Sequence, residues 1–276
     1  MSDTSGPART ADKEGPAAGT AHNARVWNHW LGGKDHYLVD ERVGDSITAM
    51  YPSIREVARA DRAFLRRAVT HLTAEAGLRQ FLDVGTGLPS ADNTHEVAQR
   101  LAPEARVVYV DNDPMVLAHA RALLAGAPEG VTRYLDADAD AREPEAILEQ
   151  AARSLDLGRP VALMLLGILN FVPDTDEARR IVRTLMDALA PGSHLALTHP
   201  TLELGGEGNI EAMAFWNEHA TPPITARTGA EIASFAEGLE LLAPGLVSCV
   251  HWRPEPAPDG TSPRQVAQYG LVARKN

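Results

Sequence analysis

The chain has 276 residues, which suits one large domain or a domain with an appendage. Its formal net charge of −11 at pH 7 argues against nonspecific binding to nucleic acid, and no basic cluster reverses this expectation. No apolar run approaches the roughly 18 residues of a membrane span, and the single cysteine, Cys249, excludes an internal disulfide bond. We therefore expect a cytoplasmic protein with neither a nucleic-acid partner nor a membrane partner.

The N-terminal region changes character at Ala24. Residues 1–23 are small and polar, which predicts a disordered tail. Apolar residues then follow at helical spacing, and the first helix is expected to end at Gly32 and Gly33. Two further helices complete the segment 24–76, which can lie as a lid across the open end of an α/β sheet. The lid residues that we expect to contact a ligand, unless they only pack, are Trp27, Lys34, His36 and Tyr37.

The rest of the chain is organised around the stretch Gln80 to Ser90, QFLDVGTGLPS. Its apolar residues are typical of a buried parallel strand, and Gly85 and Gly87 let the backbone turn tightly and approach a bound molecule. An amphipathic helix is predicted at 92–101. The order of strand, glycine turn and helix is how doubly wound α/β folds build a nucleotide site.

Strands and helices alternate regularly after this turn, which predicts parallel βαβ units with right-handed crossovers. The last two strands, roughly 239–250 and 266–273, have no helix between them and should form an antiparallel hairpin at the edge of the sheet. The fold class is therefore α/β, with a doubly wound, mostly parallel sheet formed by residues 77–276. The other predicted strands are 106–110, 131–135, 161–166 and 194–198, and a helical stretch is predicted from Gly205 to Glu237 with a break at Pro222-Pro223.

Residues around the glycine turn distinguish two classes of ligand. A dinucleotide site requires a third glycine where this chain has Ser90, and Asp83 at the strand tip would repel a pyrophosphate. S-adenosylmethionine carries a sulfonium and an ammonium group, which the same carboxylate attracts. The pattern favours S-adenosylmethionine over a nicotinamide dinucleotide.

Acidic and polar residues at the next two strand tips suit an adenosine. Asp111 follows the second strand and is placed to accept hydrogen bonds from the ribose hydroxyls, with Asn112 beside the adenine. Asp113, at the same strand tip, is more simply interpreted as the N-cap of the helix that begins at the following proline. In the run LDADADAREP, Asp138 and Asp140 are the favoured partners of the adenine amino group.

The tip of the fourth strand is expected to face the reacting groups. Leu166 is predicted beside the sulfonium, and Asn170 and Phe171 are predicted beside an acceptor molecule. A loop-capping role for the Asn170 amide is the alternative. We expect no metal site.

Five stretches of the chain resemble a family of bacterial S-adenosylmethionine-dependent methyltransferases long catalogued as a domain of unknown function, methyltransferase family nineteen. The resemblance is nearly full length. Two departures are Asn170, where the family commonly has histidine, and the long DADAD run. The matching stretches are ARVWNHWLGGKDHY at 24–37, DVGTGLPSADNTHEVAQ at 83–99, VVYVDNDPMVLAHARALL at 107–124, LLGILNFVPD at 165–174 and GLELLAPGLVSCVHWRP at 238–254.

This resemblance implies a class I methyltransferase fold with S-adenosylmethionine as its cofactor. It also implies that Arg25, Gly33 and Lys34 belong to a family signature, which strengthens the interpretation of the first helices as a lid. We expect Arg25 and Gly33 to contact the cofactor. The resemblance places the methionine end of the cofactor at Asp83, Gly85 and Gly87, and the ribose at Asp111. Thr86, within the glycine turn, is also expected to contact the cofactor.

The expected reaction is an in-line displacement that moves the methyl group to an unidentified small-molecule acceptor. A general base is needed only if the acceptor arrives protonated, and His36 and His199 are the candidates. The rival function is a noncatalytic module that binds S-adenosylmethionine or a nucleotide and forms no acceptor pocket.

Overall fold

The computed structural model of the protein describes residues 19–113, 115–118, 128–135, 141–256 and 260–276. Its strands are β1 (Ala21–His22), β2 (Gln80–Val84), β3 (Arg106–Val110), β4 (Val131–Tyr134), β5 (Ala162–Leu166), β6 (His194–Pro200), β7 (Ala220–Thr221), β8 (Glu240–Leu241), β9 (Val247–Ser248) and β10 (Gln268–Arg274). Its first four helices are α1 (Asn23–Trp30), α2 (Leu38–Met50), α3 (Ile54–Ala74) and α4 (Thr94–Leu101). Further helices span Pro144–Ala151, Thr175–Asp187, Gly206–His219 and Gly229–Ser234, and 3₁₀ turns span Leu169–Phe171 and Cys249–His251.

The main sheet has eight strands, seven of which run in the order β4-β3-β2-β5-β6-β10-β8, while β9 pairs with β10. Strands β2 to β6 pair in parallel, and β10 runs antiparallel to β6, β8 and β9. This confirms the predicted doubly wound sheet with antiparallel strands at its C-terminal end. The chain reverses its direction of winding between β2 and β5, and ligands bind at such a crevice outside the carboxyl ends of the strands.

Alternating side chains of the strands form a core on each face of the sheet. Phe81 and Met164 pack on one face against the N-terminal helices, whereas Leu82 and Leu163 pack on the other face. The apolar residues of α3 lie buried against the first face. Both faces are therefore covered, as a parallel sheet requires.

Strand β1 lies within the segment that was predicted to be a tail. The predicted tail ends at residue 23, but Ala21 and His22 form β1, which pairs in parallel with β7. Ala21 is fully buried, so the N-terminal segment is tied into the fold before α1 begins. Residues 1–18 lie outside the described part of the chain.

The segment after β6 also differs from the expectation. A helix with one break was predicted from Gly205 to Glu237, but the helix Gly206–His219 is followed by β7 and an irregular stretch before the short helix Gly229–Ser234. Pro222 and Pro223 lack the N–H groups that a continuing helix would use, which explains the longer interruption. In the described ranges no helix is both long and apolar enough to span a membrane.

Candidate functional site

A cleft of about 300 Å³ opens at the carboxyl ends of β2, β3 and β5. The first three helices and the helix Gly206–His219 contribute side chains to its other walls. Of the predicted site residues, those that line it are Trp27, Asp83, Gly85, Thr86, Gly87, Asp111, Asn112, Leu166, Asn170 and Phe171. The cleft therefore brings the predicted cofactor and acceptor residues into one space.

The glycine turn has a backbone that only glycine adopts readily. Gly85 and Gly87 have φ angles of 77° and 66°, and a Cβ atom at Gly85 would lie 2.4 Å from the side chain of Ile168. The Gly85 N–H donates to the Val110 carbonyl at 2.8 Å, and the Gly87 N–H donates to Asp111 Oδ2 at 2.8 Å. The turn is thus joined to the tip of β3 by two hydrogen bonds.

Asp83 places a buried carboxyl group beneath this turn. The Thr94 hydroxyl donates to Asp83 Oδ2 at 2.5 Å. Burial raises the pKa of Asp83 to about 6, because a low-dielectric environment disfavours the charged form. Above that pH the group is a buried negative charge, and a cationic ligand in the cleft would stabilise it.

Asp111 is held at the tip of β3 by backbone donors. Besides the Gly87 N–H, it accepts the Asp113 N–H at 2.9 Å, and its burial raises its pKa. Asp113 accepts the Met115 N–H at 2.8 Å, which supports its interpretation as a cap. Asp113 Oδ2 also lies 3.1 Å from Nδ1 of His22, so β1 is joined to the same edge of the cleft.

These residues fit S-adenosylmethionine. The Asp111 carboxylate retains lone pairs for the two ribose hydroxyls, and Asp83 suits the positive charges at the methionine end. A Cβ atom built at Gly87 would have no described atom within 4 Å, so the turn leaves open space at the cleft. Asp138 and Asp140, the predicted partners of the adenine amino group, lie outside the described residues.

The predicted acceptor residues lie on another wall of the cleft. Asn170 is only 4% exposed, and its Oδ1 atom has no hydrogen-bond partner among the described residues. Its own carbonyl accepts the Thr225 N–H at 2.8 Å, which holds the loop in place. An unsatisfied buried oxygen at this point suits a ligand that donates a hydrogen bond.

Five other predicted residues do not line the cleft: Arg25, Gly33, Lys34, His36 and Tyr37. Arg25 is buried and donates through Nε to Asp40 at 2.7 Å, while its guanidinium covers the ring of Tyr37. A Cβ atom at Gly33 would lie within 2.5 Å of the Asn28 side chain. Arg25, Gly33 and Tyr37 therefore pack within the N-terminal segment, and Lys34 is exposed.

The two histidines proposed as bases are not placed for that role. His199 is fully buried, its Nε2 atom accepts a hydrogen bond from Arg227 at 2.9 Å, and its Nδ1 atom donates to the Pro200 carbonyl at 2.8 Å. Burial lowers its pKa to about 4. His36 packs on the ring of His29, and burial lowers its pKa. Both side chains thus make packing contacts, and neither lines the cleft.

The unpredicted polar residues that line the cleft include Asp61, Arg62 and Gln268. Asp61 lies four residues after Val57 and four before Leu65, so all three are on the buried face of α3. A charged residue on an apolar helix face could have indicated a functional site. Arg62 donates to the carbonyls of Ala91 and Asp92, at 2.9 and 3.1 Å. Nothing in the local sequence distinguishes Gln268. Within the described ranges, no group of three or more His, Cys, Asp and Glu residues could hold a metal ion.

Comparisons with known proteins identify the family of this chain. The family model described as S-adenosyl methyltransferase matches residues 11–276. A DUF574 family protein from Streptomyces avermitilis is 44% identical over 94% of this chain and 99% of its own, with a TM-score of 0.88. A protein from Thermobifida fusca assigned as a methyltransferase is 40% identical over 95% of this chain and 98% of its own, with a TM-score of 0.84.

More distant matches show the fold alone. A Bordetella parapertussis protein, for example, is 17% identical with a TM-score of 0.54, over 93% of this chain and 80% of its own. No curated protein matches the chain. The full-length family match confirms the resemblance drawn from the sequence motifs: the chain belongs to the S-adenosyl methyltransferase family and is an S-adenosylmethionine-dependent methyltransferase.

Proposed function

We propose that this enzyme methylates a small, largely apolar molecule that binds between the glycine turn and the N-terminal helices. The observation that carries the proposal is the continuity of the cleft from Asp83 and Asp111, past Leu166, to Asn170 and Trp27. The walls beyond Leu166 include aromatic and aliphatic side chains, which bury apolar surface of a ligand. A small molecule fits such an enclosed site better than a macromolecule does.

The cofactor would lie along the acidic side of this cleft. Asp111 would accept hydrogen bonds from the ribose hydroxyls, with Asn112 bordering the adenine. Asp83 and the turn Gly85 to Gly87 would hold the methionine end. Arg62 contributes a positive charge at the same end, which suits the cofactor's carboxylate.

The residues of the chain would act mainly by positioning. When bound, S-adenosylmethionine supplies a methyl group on a positively charged sulfur. Leu166 and Phe171 would exclude water, and Asn170 Oδ1 would orient an N–H or O–H group of the acceptor for in-line attack. Good positioning alone can contribute on the order of 7–11 kcal/mol to lowering a barrier.

Residues 24–76 would serve as a lid in this account. Trp27 of α1 and Ile47 of α2 both line the cleft, so these helices cover the ligands from the side opposite the sheet. The buried pair of Arg25 and Asp40 supports the lid from behind. The family signature around Arg25 and Gly33 would then preserve the shape of the lid.

A noncatalytic binding module is the alternative function. It predicts that the space beside Leu166 and Phe171 is closed, whereas the cleft is open there. A nicotinamide dinucleotide would bring a pyrophosphate close to Asp83. The open space favours the transferase over the binding module, and the repulsion between Asp83 and a pyrophosphate disfavours a dinucleotide.

Calorimetry tests this proposal. We expect S-adenosylmethionine and S-adenosylhomocysteine each to bind with one-to-one stoichiometry, and NADH not to bind. S-adenosylhomocysteine should also form when amines and alcohols are supplied with S-adenosylmethionine. Binding of NADH at micromolar concentration without binding of S-adenosylmethionine would contradict the proposal, and cofactor binding without turnover on any acceptor would favour the noncatalytic module.

A further inference from the structure

A third buried carboxyl group, Asp61, lies in the cleft away from the two that serve the cofactor in the proposed function. It stands on α3 and is 7% exposed. Gln268, at the start of β10, donates through Nε2 to Asp61 Oδ1 at 3.2 Å. Because the sheet runs β3-β2-β5-β6-β10, this pair lies on the other side of β5 from Asp111.

The position of Gln268 brings the pair close to the expected methyl group. A Cβ atom built at Gly167, directly after β5, would lie 3.9 Å from Gln268 Nε2. Leu166, the residue before Gly167, is the one we place beside the sulfonium. Asp61 and Gln268 therefore border the half of the cleft into which the methyl group would point.

Asp61 has no positively charged partner within ion-pair distance among the described residues. The guanidinium of Arg62 turns to the backbone carbonyls of Ala91 and Asp92, and Arg25 pairs with Asp40. Burial raises the pKa of Asp61, while the hydrogen bond from Gln268 opposes that rise. A buried carboxylate without a counter-charge is costly unless a ligand supplies one.

Asn170 adds a second hydrogen-bond acceptor to the same cleft. Its Oδ1 atom is buried without a partner among the described residues, and Asp61 as a carboxylate can only accept hydrogen bonds. A hydroxyl group has one hydrogen to donate, whereas an ammonium group has three. The aromatic faces of Trp27 and Trp216, which also line the cleft, attract cations.

We propose that the methyl acceptor is a small amine whose nitrogen is bound by Asp61 and Asn170, and that Asp61 is the catalytic residue that takes up its proton. This inference rests on the proposed function and names its substrate class. The acidic surroundings and the overall charge of −11 also favour a cationic substrate.

The proposed step conserves charge and atoms. The ammonium group of the acceptor transfers one proton to the Asp61 carboxylate and becomes a neutral amine with a free lone pair. That lone pair forms the new N–C bond as the C–S bond breaks, and the electrons of the C–S bond remain on sulfur. The products are a methylated ammonium ion, neutral Asp61 and a neutral thioether.

The test compares three probes of similar shape, 2-phenylethylamine, 2-phenylethanol and phenylacetate, by calorimetry on the full chain saturated with S-adenosylhomocysteine. The wild-type protein should bind the amine at least tenfold more tightly than either other probe. Asp61→Asn should abolish this preference and change the affinity for S-adenosylhomocysteine less than twofold. Asp176→Asn, at an exposed acid, is the matched control.

Several results would overturn the proposal. Equal binding of the amine and the alcohol, tighter binding of phenylacetate, or no binding of any probe to the loaded protein would each do so. A large loss of S-adenosylhomocysteine affinity in Asp61→Asn would instead assign Asp61 to the cofactor's amino group. If that variant does not fold, the wild-type comparison decides alone. Failure of S-adenosylhomocysteine itself to bind contradicts the proposed function and is seen before any probe is added.

Discussion

Three buried carboxyl groups on the cleft differ in the groups that hold them. Asp111 accepts two backbone N–H groups, Asp83 accepts a threonine hydroxyl, and Asp61 accepts a glutamine amide. Backbone donors are fixed by the fold, so Asp111 is held most rigidly. At the scale of single residues, these different partners would allow similar groups to serve the ribose, the sulfonium end and the acceptor in the proposed function.

The raised pKa of Asp83 predicts a pH-dependent affinity for S-adenosylmethionine. With a pKa of about 6, the carboxyl is mostly ionised at pH 7 and mostly protonated at pH 5. The affinity for the cationic ligand should therefore fall about tenfold from pH 7 to pH 5. Asp83→Asn should bind weakly at both pH values and lose this dependence, and calorimetry at the two pH values measures it. An equal pH dependence in the variant would contradict the assignment.

The same pKa has a consequence for the stability of the ligand-free protein. The pKa of Asp83 is higher in the folded protein than its ordinary value of 3.8. Its contribution to stability is then fully present below that ordinary value and is lost as the pH rises through about 6. Asp83→Asn should remove this loss. The free energy of unfolding of the variant relative to wild type, measured by denaturant titration, should therefore increase from about pH 4 to about pH 7. A constant difference would contradict the burial of an ionised Asp83.

Asp111→Ala should weaken the binding of S-adenosylhomocysteine by about 1–3 kcal/mol, because the ribose hydroxyls lose their acceptor. The substitution also removes the carboxyl that joins the glycine turn to β3. Calorimetry measures the loss, and Glu104→Gln, at an exposed pair with Arg79, is the control. An unchanged affinity would remove Asp111 from the site.

At the scale of elements, the N-terminal segment is fastened by interactions that the sequence motif did not reveal individually. The buried Arg25 joins α1 to Asp40 of α2 and also donates to the carbonyl of Thr20. The His22 N–H donates to the same Asp40 at 2.9 Å. Arg25 of the family signature therefore acts through packing, whereas Trp27 and Asn28 of the same signature are among the residues that line the cleft.

Arg25→Ala should destabilise the protein by about 3–5 kcal/mol, because it leaves the buried carboxylate of Asp40 unpaired. Arg55→Ala breaks an exposed pair with Asp45 and should cost at most about 1 kcal/mol. Thermal or denaturant unfolding of the two variants measures the difference. Similar small losses in both would show that the Arg25 pair does not hold the lid.

Much of the sheet could be predicted because its strands are apolar runs separated by clear turn signals. The position of the glycine turn and Asp111 at the cleft could be predicted because their backbone and charge requirements lie within a few residues. In contrast, β1 and β7 have two residues each, too few for any periodicity to show. The role of His199 depends on Arg227, which lies 28 residues further along the chain, so no local pattern could indicate it.

At the scale of the whole molecule, the order of the strands separates the residues proposed to bind the cofactor from those proposed to bind the acceptor. The residues assigned to the cofactor lie at the tips of β2 and β3, and those assigned to the acceptor lie beyond β5. The α3 helix spans both halves, because Arg62 turns to the loop after β2 while Asp61 turns to Gln268 on β10. The helix α3, which precedes β2 in the chain, thus contributes side chains to the cleft.

A crystal structure with S-adenosylhomocysteine tests this arrangement most directly. The account predicts that the ribose hydroxyls lie on Asp111, that the sulfur lies beside Leu166, and that the space from the sulfur to Asn170 and Asp61 stays open for an acceptor. An adenosine bound away from Asp111, or an amino group of the ligand bound to Asp61, would contradict it.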